Sequence, residues 1–258
     1  MYTIDLSGKH ALVMGVANHR SLSWAIAQCL HQAGARLCVT YQGERLKGMV
    51  EELVEGLGNV TLAECDVTRD ETIDGLAQRL AAEWGSLEML VHGIAFARKE
   101  DLESPFVATS REGFQVALDV SAYSLINVTH RVLPLLEKNG GSIVTLSYLA
   151  AERAVPSYNV MGSAKAVLEQ SVRQLAYELG SKNIRVNALS AGPVSTLAAR
   201  GIRGFTDMLK KHAEKAPLGR NITKDEVGKA ALFLLSDLSS GVTGEVLYVD
   251  AGYSIMGW

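Results

Sequence analysis

Cysteine is scarce in this chain, and the three residues present, Cys29, Cys38 and Cys65, lie in apolar segments and form no CxxC pair. An odd, unpaired set excludes a disulfide framework and a cysteine zinc site, so no metal is expected. A reducing cytoplasm is the expected compartment. Excess charge of one sign is also missing. The net charge is −3, and the chain has no arginine-rich arm, zinc-finger spacing or RNA-binding aromatic motif, so no nucleic-acid partner is expected. No apolar run approaches the ~18 residues of a membrane span, and no membrane insertion is expected. The opening MYTIDLSGKHALVMG is interrupted by Lys9 and His10 and lacks a charged start followed by a long apolar stretch, which argues against a signal segment. Nor does any Pro/Gly/Ser-rich linker divide the chain.

What remains is the composition of a globule with a sizeable core: 48% hydrophobic and 21% charged over 258 residues, which excludes disordered and collagen-like classes. Short apolar, partly β-branched runs at 10–15, 36–41, 60–65, 87–92, 141–147, 184–190 and 245–250 read as strands. Helical patterns fill the gaps at 22–33, 43–56, 70–84, 111–136, 158–179 and 224–236. Strands that are nearly continuous in apolar character and alternate with helices predict an α/β fold. The expected architecture is a single doubly wound, Rossmann-like domain over 1–258, with about seven parallel strands and helices on both faces. After the sixth strand, Ala191-Gly192-Pro193 opens about thirty residues without a clear helix, except for an amphipathic piece at 205–215. Ligands in such sheets lie outside the carboxyl ends of the strands, so residues 194–216 are read as a substrate lid.

The strand ends carry the fragments of a dinucleotide site. Gly15 permits a tight turn into GVANHRSLSWAIA, and Ser21 stands where it would cap the helix whose N-terminus receives a pyrophosphate, although the usual GxGxxG is absent. The third strand ends in Cys65-Asp66-Val67, where Asp66 either recognises an adenine edge or caps the next helix. The fourth ends in HGIAFA, whose small residues Gly93, Ala95 and Ala97 let a ligand approach the backbone. After the second strand, Gln42 offers hydrogen bonds to ribose hydroxyls, while Arg45 lies one helical turn on.

Proton chemistry is suggested by Tyr158 and Lys165, seven residues apart, with Tyr148 upstream. Seven residues make nearly two helical turns, which puts 158 and 165 on one side of the predicted helix. A phenol titrates near pH ~10 in water, and a neighbouring ammonium would make it a stronger acid and donor. The competing reading takes Tyr158 as an amphipathic helix-start residue and Lys165 as a solvated one.

Taken together, GVANHRSLSWAIA, YQGERLKG, CDV, LSYLAAERAVPSYNVMGSAKA, RVNALSAGPVSTLAARGI and SGVTGEVLYVDAGYSI resemble the bacterial-type enoyl-acyl carrier protein reductases. These form a divergent branch of the short-chain dehydrogenase/reductase superfamily, and the likeness covers essentially 1–258. Common superfamily members carry Tyr-x3-Lys, whereas here Met161 stands four residues before Lys165 and Tyr158 seven before it. That separates the chain from ketone and alcohol reductases, whose serine is accompanied here by Tyr148; Ser147 is the competing candidate for that serine. Gly93 and Ala95 depart from the Ser and Gly of many relatives.

The resemblance implies NADH-dependent reduction of trans-2-enoyl thioesters in fatty acid biosynthesis, with Tyr148, Tyr158 and Lys165 as catalytic residues. It assigns Gly15, Ser21 and Leu22 to the pyrophosphate, Gln42 to the adenosine ribose, Asp66 and Val67 to adenine, and Ile94 to backbone contacts. Lys165 would bind the nicotinamide ribose, and Val194, Ser195, Thr196, Leu197 and Ala198 would meet the carboxamide and pyrophosphate. Ala97, Tyr148, Tyr158, Met161, Ile202, Phe205 and Met208 would border the acyl pocket, with core packing the alternative for the apolar ones. Gly43 and Glu44 after Gln42, in place of consecutive basic residues, favour NADH, with NADPH the alternative. A related 3-oxoacyl reductase and a non-catalytic NADH-binding regulator are the rival functions. The resemblance further implies a homotetramer and an acidic acyl carrier protein as partner. To the latter the stretch 198–224 would offer seven basic residues, Arg200, Arg203, Lys210, Lys211, Lys215, Arg220 and Lys224, against Asp207 and Glu214.

Overall fold

Seven strands form one sheet: β1 (His10–Met14), β2 (Arg36–Tyr41), β3 (Thr61–Glu64), β4 (Met89–His92), β5 (Gly141–Ser147), β6 (Ile184–Ala191) and β7 (Val246–Val249). Every pairing is parallel and the order is β3-β2-β1-β4-β5-β6-β7. The computed structural model describes residues 3–196, 199 and 204–257. Parallel pairing without bulges puts partners on the same face, so apolar side chains line up across the sheet. Cys38, Leu12, Leu90, Ile143 and Val186 form one fully buried row, and Val39, Val13, Val91 and Val144 form the adjacent row on the opposite face. Burying each such side chain contributes roughly 1.5–3 kcal/mol.

The first row is covered by α3 (Asp70–Glu83), α6 (Ser124–Leu136) and α7 (Val160–Leu179), through Ile73, Leu80, Leu125, Val132, Leu168 and Val172. The second is covered by α1 (Leu22–Gln32), α2 (Glu44–Glu55) and α9 (Lys224–Leu235), through Trp24, Ile26, Leu30, Val50, Val227 and Leu234. α1 and α9 approach closely because Gly228 has no Cβ; one there would lie 2.8 Å from Cys29 Sγ and 2.9 Å from Ala25 O. Three further helices complete the set: α4 (Lys99–Glu103), α5 (Arg111–Leu118) and α8 (Phe205–Lys215).

The fold is therefore the expected one, with local differences. The helix anticipated over 111–136 is interrupted by a π turn at Asp119–Tyr123 between α5 and α6. There Ser124 donates its hydroxyl back to Val120 O at 2.6 Å, and Ser121 turns inward to the loop after β4. Four strands are shorter than anticipated, and α4 was hidden in a polar stretch. All three cysteines are free; burial pushes the Cys38 thiol up to about 12 and that of Cys65 up to about 11, which keeps both protonated and inert. Among the described residues no cluster of His, Cys, Asp and Glu could hold a metal ion, and no helix is long and apolar enough to cross a membrane.

Candidate active site

The sheet order reverses between β1 and β4, and the loops leaving these two strands touch through their backbones. Gly15, at φ +85°, has room for no side chain: a Cβ would sit 2.1 Å from Gly93 O. At Gly93 the space of a Cβ is filled by Ser23, whose Oγ would lie 1.9 Å from it. A larger residue at 93 therefore needs the Ser23 hydroxyl to turn away. Only small or absent side chains thus separate a ligand at this crevice from the main chain.

α1 points its N-terminus at the same crevice. Ser21 holds the N-cap position but does not cap; its Oγ accepts from Ala17 N at 3.0 Å and Asn18 N at 3.2 Å, shaping the turn instead. That corrects the capping expected from sequence. The first turn contains no acidic residue and receives no side-chain cap, so its amides and dipole are available to an anion. Leu22 is half-buried and packs on the core. At the ends of β2 and β3, Gln42 stands near Asp66. Asp66 also accepts from Thr68 N at 3.0 Å and Thr68 Oγ1 at 2.8 Å, which fixes its carboxylate without capping α3, whose N-cap is Arg69. Burial pushes the Asp66 pKa up, but the bonds from Thr68 and the polar side chain of nearby Gln42 outweigh it and hold it below the usual carboxylate range. Val67 and Ile94 are half-buried against the core, their backbones at the strand ends.

Across the crevice stand the tyrosines and the lysine. Tyr148 follows β5 directly, and its ring lies 4.8 Å from that of Tyr158, inclined at 54°. Lys165 is buried on α7 and donates Nζ to Leu146 O at 2.7 Å. Burial holds its pKa down to about 8, partly offset by the nearby charge of Glu169. Two sequence expectations need correction. Tyr158 is outside the helix: α7 begins at Val160, after a turn with Ser157 at φ 62° and Asn159 at φ 41°. Helical phase therefore does not relate the tyrosine to the lysine. Nor is the phenol acidified. Burial, then Tyr148, push Tyr158 well above the ordinary tyrosine range, and burial, then Tyr253, push Tyr148 up to about 12. Both phenols are protonated donors at neutral pH.

Beneath them lies polar structure of which the sequence pointed only to Ser147. Ser147 is buried and donates to Glu169 Oε1 at 2.5 Å, which commits its hydroxyl to the interior. Glu169 has its pKa raised, chiefly by burial. His92 ends β4 with no exposed surface, its Nδ1 3.0 Å from Thr145 Oγ1 and its Nε2 2.8 Å from Ser124 Oγ. Ser121, in the π turn, accepts from Phe96 N at 2.9 Å and so anchors the loop that carries Ala97. Gly162 lets the start of α7 close on the turn after Tyr148, a Cβ there falling 2.9 Å from Ala150 O. Only the glycine and the asparagine of YNVMG carried a visible signal, as residues that tolerate close approach or positive φ.

Of the acyl-pocket candidates, Met208 on α8 is brought to the tyrosines, with the Tyr148 hydroxyl 3.4 Å from its Sδ. Met161 is buried, its Sδ 3.7 Å from Ser121 Oγ, and Ala97 and Phe205 are half-buried. Val194 packs on the core layer, Ser195 is exposed, and Thr196 accepts from Ala199 N at 3.1 Å, so its side chain is spent locally. Leu197, Ala198 and Ile202 lie outside the described residues.

Known proteins resemble the chain over nearly its whole length. Residues 15–254 match the family model described as enoyl-(acyl carrier protein) reductase. The enoyl-[acyl-carrier-protein] reductase [NADH] of Nostoc sp. is 52% identical over 257 residues, which is 98% of this chain and 99% of that protein. The crystal structure of the NADH enzyme from Aquifex aeolicus superposes with a TM-score of 0.95 at 49% identity, covering 98% of this chain and 99% of that one. The Bacillus cereus reductase, crystallised with NADP+ and indole naphthyridinone, gives 0.96 at 48% identity over the whole of both chains.

Proposed function

The chain belongs to the enoyl-(acyl carrier protein) reductase family, and from that premise we propose that it reduces trans-2-enoyl thioesters to saturated acyl thioesters in fatty acid synthesis, using NADH. The observation that carries this reading is the pair of packed, protonated tyrosines beside a buried lysine, at the carboxyl edge of the sheet and next to its switch point. The crevice suits a dinucleotide: glycines at 15 and 93 let the loops leaving β1 and β4 meet without side chains, so a ligand there faces main chain, and α1 presents uncapped amides. Gly15, Ser21 and Leu22 would frame the pyrophosphate, Gln42, Asp66 and Val67 the adenosine, and Ile94 and residues 194–198 the nicotinamide half. Gln42 brings no positive charge and Glu44 adds a negative one near a 2′-phosphate, which supports NADH over NADPH against the influence of Arg45. Bound NADH supplies the hydride that C3 of the enoyl group receives.

The protein's part is to stabilise the negative charge that then develops on the thioester oxygen. Tyr158 donates a hydrogen bond to that oxygen while keeping its own proton, and the enolate becomes the saturated thioester when C2 takes a proton that comes from solvent. Tyr148 packs against it, orients it and borders the acyl chain together with Met161, Ala97, Phe205, Met208 and Ile202. Lys165 holds the ribose hydroxyls with the ammonium hydrogens that Leu146 O does not use. Residues 194–216 act as the lid over this pocket, with α8 touching it through Met208.

An acyl carrier protein is the partner that delivers the substrate, and cytoplasm the compartment. A homotetramer belongs to the same reading, supported by the exposed apolar side chains Phe114, Tyr123 and Ile126 around α5 and α6 and Val167 and Tyr177 on α7. The test is Tyr158→Phe, which keeps the ring and removes the donor. Turnover of an enoyl thioester, followed by NADH absorbance, should fall roughly ten- to a thousandfold with a near-native melting curve. Unchanged turnover, or a wild-type protein active on 3-oxoacyl but not enoyl thioesters, would refute the assignment.

A further inference from the structure

Tyr158 has no helix to hold it, and the residue after it does something unusual. Asn159 adopts φ 41° and ψ −122°, a conformation costly for any residue with a side chain. It opens a tight turn closed by Met161 N on Tyr158 O at 3.0 Å, with Gly162 N on Asn159 O at 2.9 Å. Its side chain reaches away from α7. Nδ2 donates to Ser104 O at 2.8 Å and Leu102 O at 3.0 Å, and lies 3.4 Å from Asp101 O. These are carbonyls at the carboxyl end of α4, where a helix has no partners of its own for them. One amide therefore satisfies orphaned acceptors on a separate element and anchors the turn that carries the phenol.

We propose that Asn159 is a positioning residue for Tyr158: by suspending the 158–161 turn from the end of α4, it fixes where the phenol points. This rests on the reading of Tyr158 as the donor to the thioester oxygen. An alternative role is purely conformational, asparagine being chosen only because it tolerates positive φ. The two roles make opposite predictions for glycine, which adopts this backbone freely but cannot reach α4.

In Asn159→Gly, kcat on an enoyl thioester should fall roughly ten- to a hundredfold, the scale of a small misplacement of a reacting group. The NADH Kd should stay within about twofold of wild type, because the change removes no group assigned to the dinucleotide. Asn159→Asp, which keeps the size and the tolerance of positive φ but loses the donor, should show the same selective loss of kcat, and it carries the test if the glycine variant does not fold. A double-mutant cycle separates action through the phenol from any other route: Tyr158→Phe combined with Asn159→Gly should be no slower than Tyr158→Phe alone within about twofold. Wild-type kcat in both Asn159 variants overturns the proposal, as do fully additive losses in the double variant. Wild-type turnover in Tyr158→Phe overturns the donor reading and this inference with it, a result distinguishable because it needs no change at Asn159.

Discussion

His92 shows how much of this site's behaviour is decided by single buried groups. Burial, and then the charge of Lys165, hold its pKa down to about 3, so the folded protein keeps it neutral. An unfolded chain has an ordinary histidine there. As pH falls below about 6.5 the unfolded state takes up a proton that the folded state refuses, and stability drops by up to about 1.4 kcal/mol per unit of pH. His212, buried on α8 and also shifted down by burial, acts in the same direction. Urea unfolding at pH 7.5, 6 and 5 should therefore show a steep loss for wild type and a shallower one for His92→Gln; identical slopes would count against it. The sequence made Tyr148, Tyr158 and Lys165 visible because their residue types are chemically uncommon together. It hid His92, Glu169 and the reach of the Asn159 side chain, whose partners are Ser124, Ser147 and the end of α4, between 22 and 58 residues away. The phenol's raised pKa was likewise out of reach, since it depends on burial and not on the spacing to Lys165.

Elements were legible where periodicity was clean. The apolar runs at 36–41 and 141–147 match β2 and β5 residue for residue, and 205–215 matches α8. The π turn at Asp119–Tyr123 left no such trace, because no proline or glycine marks it and its cause is Ser121 bonding to the loop at Phe96. The contact between the loops leaving β1 and β4 is a comparable case. Gly15 was read as a turn residue, but the stronger constraint is the carbonyl of Gly93 beside it. Gly15→Ala must move one loop or the other as well as strain a positive φ, so it should destabilise the protein by roughly 2 kcal/mol or more and weaken NADH binding. Chemical denaturation with and without NADH checks both; a variant as stable as wild type would mean the loops yield easily.

In the molecule as a whole, charge is unevenly placed. The chain is acidic overall at −3, yet α8 exposes Lys210, Lys211 and Lys215 beside the pocket. Reversing all three to glutamate should slow turnover of a carrier-linked enoyl substrate at low salt and flatten its salt dependence, while a short coenzyme A thioester loses less. Equal losses on both substrates would exclude docking at this helix. The doubly wound architecture was readable because alternating strands and helices permit few arrangements, whereas the pairing of α1 with α9 depends on residues from opposite ends of the chain. That pairing has a consequence during synthesis. The strand order lets each new strand join an outer edge of the growing sheet, so the sheet can be laid down from the amino terminus onwards. α9 emerges from the ribosome only near the end, on the order of ten seconds or more after α1. Until then the stripe around Ala25 and Cys29 has no cover, which makes the nascent chain, rather than the finished protein, the form most in need of a chaperone.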